Sequence, residues 1–183
     1  PDSRIQASGQ VGLSPGAVLD VQVRGTASMS LVDALVTPRV DGFADVELRV
    51  GGSMQQPTFD GVLTLRDVNA LSPTAKLVLA GVGGRITFKP GLIDSVDLRG
   101  QLNGGSVAIS GSVPLDRSRD DQVLRLTARD LFVEYPAGFR NRISADLVLS
   151  GGLDRPVLRG TTTFLTEPYR ESLPRMAQLL AAF

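Results

Sequence analysis

Along almost the whole of this chain, apolar and polar residues alternate one for one. Leu19, Val21 and Val23 are separated by Asp20 and Gln22. Val46, Leu48 and Val50 are separated by Glu47 and Arg49, Val96 and Leu98 by Asp97, and Leu124 and Leu126 by Arg125. Successive side chains of a β-strand point to opposite faces, whereas a helix needs apolar residues three and four apart. Period two therefore predicts strands with one apolar and one polar face. Gly51-Gly52, Gly83-Gly84, Lys89-Pro90-Gly91, Asn103-Gly104-Gly105, Tyr135-Pro136-Ala137-Gly138 and Gly151-Gly152 punctuate them. The pattern gives roughly a dozen antiparallel strands and an all-β chain.

One stretch is used twice. Val46–Leu65 runs as an alternating strand, a glycine turn, Pro57 and a second alternating strand. Ala145–Phe164 repeats it at a constant offset of 99 residues, so that Leu48, Gly52, Pro57 and Gly61 become Leu147, Gly151, Pro156 and Gly160. A chain assembled by repeating a hairpin carries its function on a surface rather than at one catalytic point. Gly61 and Gly160 share the apolar parity. A missing side chain there serves curvature or close approach of a neighbour, or else marks an ordinary bulge.

Two pieces break the period. Ser30–Leu35 reads as a single helical turn closed before Pro38. Residues 172–183 read as a short amphipathic helix, capped by Ser172, with Leu173, Met176, Leu179, Leu180 and Phe183 on one stripe. With one Arg in that stretch, a plug on the end of the sheet is favoured over a membrane-surface or partner helix.

Charge and composition exclude several chemistries. Nineteen basic and nineteen acidic residues are scattered, which removes the footprint of a nucleic-acid binder. The densest run, Asp116–Asp121, mixes both signs and reads as a solvated loop. Without Cys or His there is no disulfide, no thiolate or imidazole metal site and no His-dependent nucleophile. The acidic residues sit mostly on the polar beat of a strand. We therefore expect no enzyme, no catalytic residue, no metal and no cofactor. The chain starts at Pro1 and carries no apolar run of about 18 residues, so it reads as one β segment, residues 1–183, of a longer protein.

An apolar face shared by many strands has three ways to be hidden: a two-sheet sandwich, an outer-membrane barrel or an open trough. Barrel strands of about 9–11 residues with aromatic girdles fit poorly, because most strands look shorter and the chain has only seven Phe and two Tyr. The apolar beat is Val, Leu, Ile and Ala, with little bulk. That leaves room for acyl chains and leans toward a trough.

The repeated unit itself resembles the TamB family, the translocation and assembly module proteins of Gram-negative envelopes, and the related AsmA-like proteins. The resemblance rests on Val46–Leu65, on Ala145–Phe164, on the glycine-rich hairpin Leu98–Leu115 and on Tyr169 with the leucine-rich end. It implies an elongated, curled antiparallel sheet forming an open hydrophobic groove, the β-taco. It also implies a periplasmic segment of an inner-membrane-anchored protein that serves outer-membrane biogenesis. The partners it implies are a phospholipid or an outer-membrane protein client and, through the full-length protein, a TamA-like barrel of the outer membrane.

The residues expected to line the groove are Leu48, Val50, Phe59, Leu63, Leu65, Ile86, Phe88, Val96, Leu98, Val107, Ile109, Leu124, Leu126, Leu147, Leu149 and Phe164. They are also the residues that would form a filled core, and in that case the chain is a structural or adhesive β-repeat module acting through its outer polar surface.

Overall fold

A computed structural model describes residues 3–12, 17–31, 39–72, 76–115, 122–134, 140–151 and 155–166. Ten strands follow one another: β1 (Arg4–Val11), β2 (Leu19–Ser28), β3 (Arg39–Gly52), β4 (Pro57–Ser72), β5 (Leu77–Lys89), β6 (Leu92–Leu102), β7 (Gly105–Pro114), β8 (Val123–Glu134), β9 (Arg140–Ser150) and β10 (Val157–Thr166). They form one antiparallel sheet in strict chain order, β1 to β10. The one helical piece among the described residues is a 3₁₀ turn, Met29–Leu31, which overlaps the start of the turn expected at Ser30–Leu35. The expected helix at 172–183, the loop at Asp116–Asp121 and the turn at Tyr135–Gly138 lie outside the described residues. No described helix is long and apolar enough to cross a membrane.

The sheet is open and uncurled. Among the described residues, apart from the 3₁₀ turn against β3, strands make substantial contact only with their neighbours in sequence, and β1 and β10 are the outermost described strands. The curl expected of a trough is therefore not present. Nor is a filled core: no large side chain is fully buried among the described residues, and the buried apolar ones are mostly Val and Ala. A single layer has nothing to press its apolar face against, so those side chains stay half-exposed. Strand length also departs from expectation. The strands run from 8 to 16 residues. Interior glycines break the apolar beat within strands and make them read shorter than they are.

Local chemistry explains the turns. Pro90-Gly91 closes β5–β6, with Lys89 opposite Leu92 and Gly91 at φ 74°. Proline presets the first turn position and glycine accepts the positive φ of the second, as in a type II turn. Asn103-Gly104 closes β6–β7 at φ 47° and 80°. Two successive positive φ angles define the type I′ turn, whose twist matches that of the strands it joins. Asn103 does more than turn. Its Oδ1 accepts from the Val78 N–H at 2.7 Å, and its Nδ2 donates to the carbonyl oxygens of Lys76 and Phe132.

Two bulges are built from the same dipeptide. At Arg66-Asp67 the β4–β5 register slips between Leu65 and Val68, and at Arg129-Asp130 the β8–β9 register slips between Ala128 and Leu131. Each Asp takes a left-handed conformation, φ 50° and 54°, which Asp tolerates better than most residues. Each Arg reaches a carboxylate on an adjoining strand, Arg66 to Asp45 and Arg129 to Asp146. The bulges restore the apolar parity after three residues instead of two, and the buried Val68, Ala44, Ala128 and Ala145 gather beside them.

Candidate functional site

The pairing register turns sequence alternation into continuous rows across the sheet, because directly opposed residues of an antiparallel pair share a face. One row crosses all ten strands: Ile5, Gly25, Val46, Leu63, Ile86, Val96, Gly111, Leu124, Leu149 and Leu158. No polar residue interrupts it. A second row runs from β2 to β10 through Ala27, Ala44, Leu65, Gly84, Leu98, Ile109, Leu126, Leu147 and Gly160. A third, shorter row holds Val23, Leu48, Gly61, Phe88, Ile93 and Val113.

All sixteen residues singled out from the sequence lie on this face. Twelve of them stand in these rows, Leu48 and Phe88 in the third, and Leu63, Leu65, Ile86, Val96, Leu98, Ile109, Leu124, Leu126, Leu147 and Leu149 in the first two. Val50 and Phe59 oppose each other at one end. Val107 opposes Ala128, and Phe164 opposes Ile143, at the other. Most are half-exposed, whereas Phe164 on the edge strand is 62% exposed. Sequence reasoning missed Leu158, Ile93 and Val113. Leu158 was detectable as the repeat of Phe59, while Ile93 is hidden because the register slips between Ile93 and Val96.

The two glycines of the repeat are in plain ladder, not in bulges. Gly61 opposes Leu48 at φ 136°, and Gly160 opposes Leu147 at φ 151°. A Cβ built on either would come within 2.0 Å of a neighbouring carbonyl oxygen, that of Glu47 or of Asp146. Both close approaches need glycine, so the bulge reading is set aside.

The opposite face is a lattice of charges. Arg49 makes a bidentate pair with Asp20 at 2.9 and 3.0 Å. Asp45 accepts from the Thr26 hydroxyl at 2.6 Å and from the Arg66 guanidinium at 2.9 Å. The hydrogen bond from Arg49 holds the Asp20 carboxyl below its usual range, and that from Thr26, with Arg66 behind it, does the same for Asp45. Two shallow concavities, of about 280 and 520 Å³, lie against these charges and share Arg24, Glu47 and Val62. They are open dishes between ion pairs. Among the described residues no group of three or more acidic side chains is placed to hold a metal ion.

The face thus offers a wide apolar strip without catalytic groups, backed by a polar surface. Comparison with known proteins gives two matches. Residues 94–168, spanning most of β6 through β10, match the family model of the TamB C-terminal domain. A 125-residue stretch, 66% of the chain, is 24% identical to the protein TIC236, chloroplastic, of Arabidopsis thaliana. The chain spans only 6% of the length of that relative. No solved structure matches.

Proposed function

We propose that the apolar face is a non-enzymatic transit surface that shields phospholipid acyl chains, or nascent outer-membrane protein strands, as they cross an aqueous compartment. The single observation that carries this reading is the row from Ile5 to Leu158, which crosses ten strands with eight apolar side chains, two glycines and no polar residue. A storage or catalytic site would be local and enclosed. This strip is neither.

The energetics of a one-sided surface suit movement. Each methylene removed from water contributes about 0.8 kcal/mol. Eight methylenes half covered by one face would then contribute roughly 3 kcal/mol, which corresponds to millimolar binding or weaker. Such a surface holds a chain loosely at every point and firmly at none. The periplasm between inner and outer membrane is the compartment that the resemblance to the TamB family supports. On this reading a membrane anchor and a TamA-like barrel would act through the longer protein.

The test is to purify the chain gently and look for lipid by native mass spectrometry, with Leu126→Asp and Leu147→Asp as variants. Lipid should co-purify with the unsubstituted chain and be lost from variants that still show a β-sheet spectrum. No lipid on the unsubstituted chain, under conditions that retain it on a known lipid carrier, would sink the acyl-chain reading.

A further inference from the structure

The charged face is not charged along its whole length. Past the bulges, one row of that face holds Leu71, Val78, Phe132 and Leu165. Leu71 opposes Val78, and Arg142 stands between Phe132 and Leu165. Asn103 joins the two halves through its bonds to Val78 and Phe132. Arg39 opposes Leu71 on the other side. The four apolar side chains are exposed, from 43% at Phe132 to 53% at Leu165. Leu71, Val78 and Phe132 stand on β4, β5 and β8, which have a strand paired on each side. Their exposure is therefore that of a sheet face and not of an outer strand.

This end of the strands is apolar on both faces. The other face carries Leu79 opposite Leu102, and Leu131 opposite Ile143. Aromatic residues gather here too. Phe43, Phe132 and Phe164 lie toward this end, and Tyr135 and Phe139 belong to the β8–β9 connection that leaves from it, against Phe59 and Phe88 at the other end. The β2–β3 connection on the same side contains Val32, Leu35 and Val36, whereas the β7–β8 connection at the far end contains the charged run Asp116–Asp121. Aromatic residues gathered at one level, with apolar neighbours and cations among them, are the composition of a membrane–water interface. The charges of the row, Arg39 and Arg142, are both positive. They complement anionic headgroups, toward which long basic side chains extend while their stems rest on apolar surface.

We propose that this end of the sheet, led by Leu71, Val78, Phe132 and Leu165, seats in the interface of a phospholipid bilayer that contains anionic lipid. The strands then stand with one end at the membrane, and the Pro90-Gly91 turn at the other end points into water. The contact is peripheral: the sheet rests in the headgroup layer and does not cross. It uses a row on the charged face and not the rows from Ile5 to Leu158, so it holds or fails independently of the transit surface. Where both operate, a lipid leaving the bilayer enters the apolar face across the strand ends.

The chain has no Trp, so a single introduced tryptophan reports its own surroundings. Phe132→Trp and Val157→Trp place one at each end of the charged face, at positions 43% and 41% exposed. The probe is a vesicle of phosphatidylethanolamine and phosphatidylglycerol, prepared with and without brominated acyl chains. Emission from Phe132→Trp should shift to the blue on mixing and be quenched by the brominated chains, and that from Val157→Trp should do neither. Leu71→Ser combined with Leu165→Ser should weaken vesicle binding about tenfold while circular dichroism still shows the sheet. Vesicles of phosphatidylcholine alone should bind several-fold less. Leu126→Asp should lose co-purifying lipid and keep the signal at Phe132→Trp, which separates this contact from the transit surface. Four outcomes overturn the proposal: no blue shift at Phe132→Trp with vesicles, emission already blue before they are added because the chain itself or a second copy covers the row, equal quenching at both positions, or binding that the paired serine substitutions leave unchanged.

Discussion

The side-chain amide of Asn103 donates to the backbone carbonyl of Phe132 at 3.0 Å, and the Phe132 N–H returns a bond to the carbonyl oxygen of Asn103 at 3.3 Å. One turn residue thereby ties the β6–β7 hairpin to β8. Through Lys76 and Val78 it also ties that hairpin to the start of β5. Asn103→Ala removes these side-chain bonds and forces alanine into a positive φ. It should cost about 1–3 kcal/mol in denaturant unfolding. Exchange should accelerate first at Val78, whose N–H loses its partner.

Gly61→Ala and Gly160→Ala place the same methyl against the same kind of carbonyl, but in different surroundings. Gly61 lies in β4, held between β3 and β5, so the clash cannot be relieved without disturbing two ladders. Its substitution should cost on the order of 1–3 kcal/mol. Gly160 lies in the outermost described strand, which pairs only with β9 among the described residues and can move away from it, and its cost should be smaller. Paired thermal melts check the order. Equal losses would mean that β10 is held on both sides.

Both glycines show how far the sequence could be read. Parity and the two short turns, Pro90-Gly91 and Asn103-Gly104, were legible because each depends on a few adjacent residues. The bulges at Asp67 and Asp130 were not read, although a signal exists: apolar residues three apart with Arg-Asp between them, Leu65 to Val68 and Ala128 to Leu131. The openness of the sheet was not legible either. Val96 or Leu126 is equally apolar whether a second layer covers it or water does, and only the packing decides.

Asp20 and Asp45 give the hairpin β2–β3 a pH dependence. Both carboxyls are held below the usual range, Asp20 by Arg49 and Asp45 by Thr26 and then Arg66. A depressed pKa favours folding above the ordinary carboxylate range, and the gain is lost as pH falls through the folded-state values. NMR titration of Asp20 should show its midpoint rise toward an ordinary aspartate in Arg49→Ala. An unchanged midpoint would show that the pair does not persist in solution.

Asp130→Gly tests whether the bulge or the carboxylate matters at Arg129-Asp130. Glycine adopts the left-handed φ without the penalty that Asp meets, so the bulge should persist and stability change by less than about 1 kcal/mol. The Asp130 N–H still donates to Ser144 Oγ, since that bond is made by the backbone. Crystallography or cross-strand nuclear Overhauser effects between Ala128 and Ala145 would check the retained register.

The strict chain order of the sheet has a kinetic consequence. Every strand pairs with the strands just before and after it, so no pairing waits for a distant part of the chain to arrive. Loop closure stays cheap at each step, and folding can begin at any hairpin and spread by accretion in either direction. Damage is confined in the same way: a strand that slips spoils two ladders and leaves the others able to form. Strands could be added or removed during evolution without redesigning those already in place.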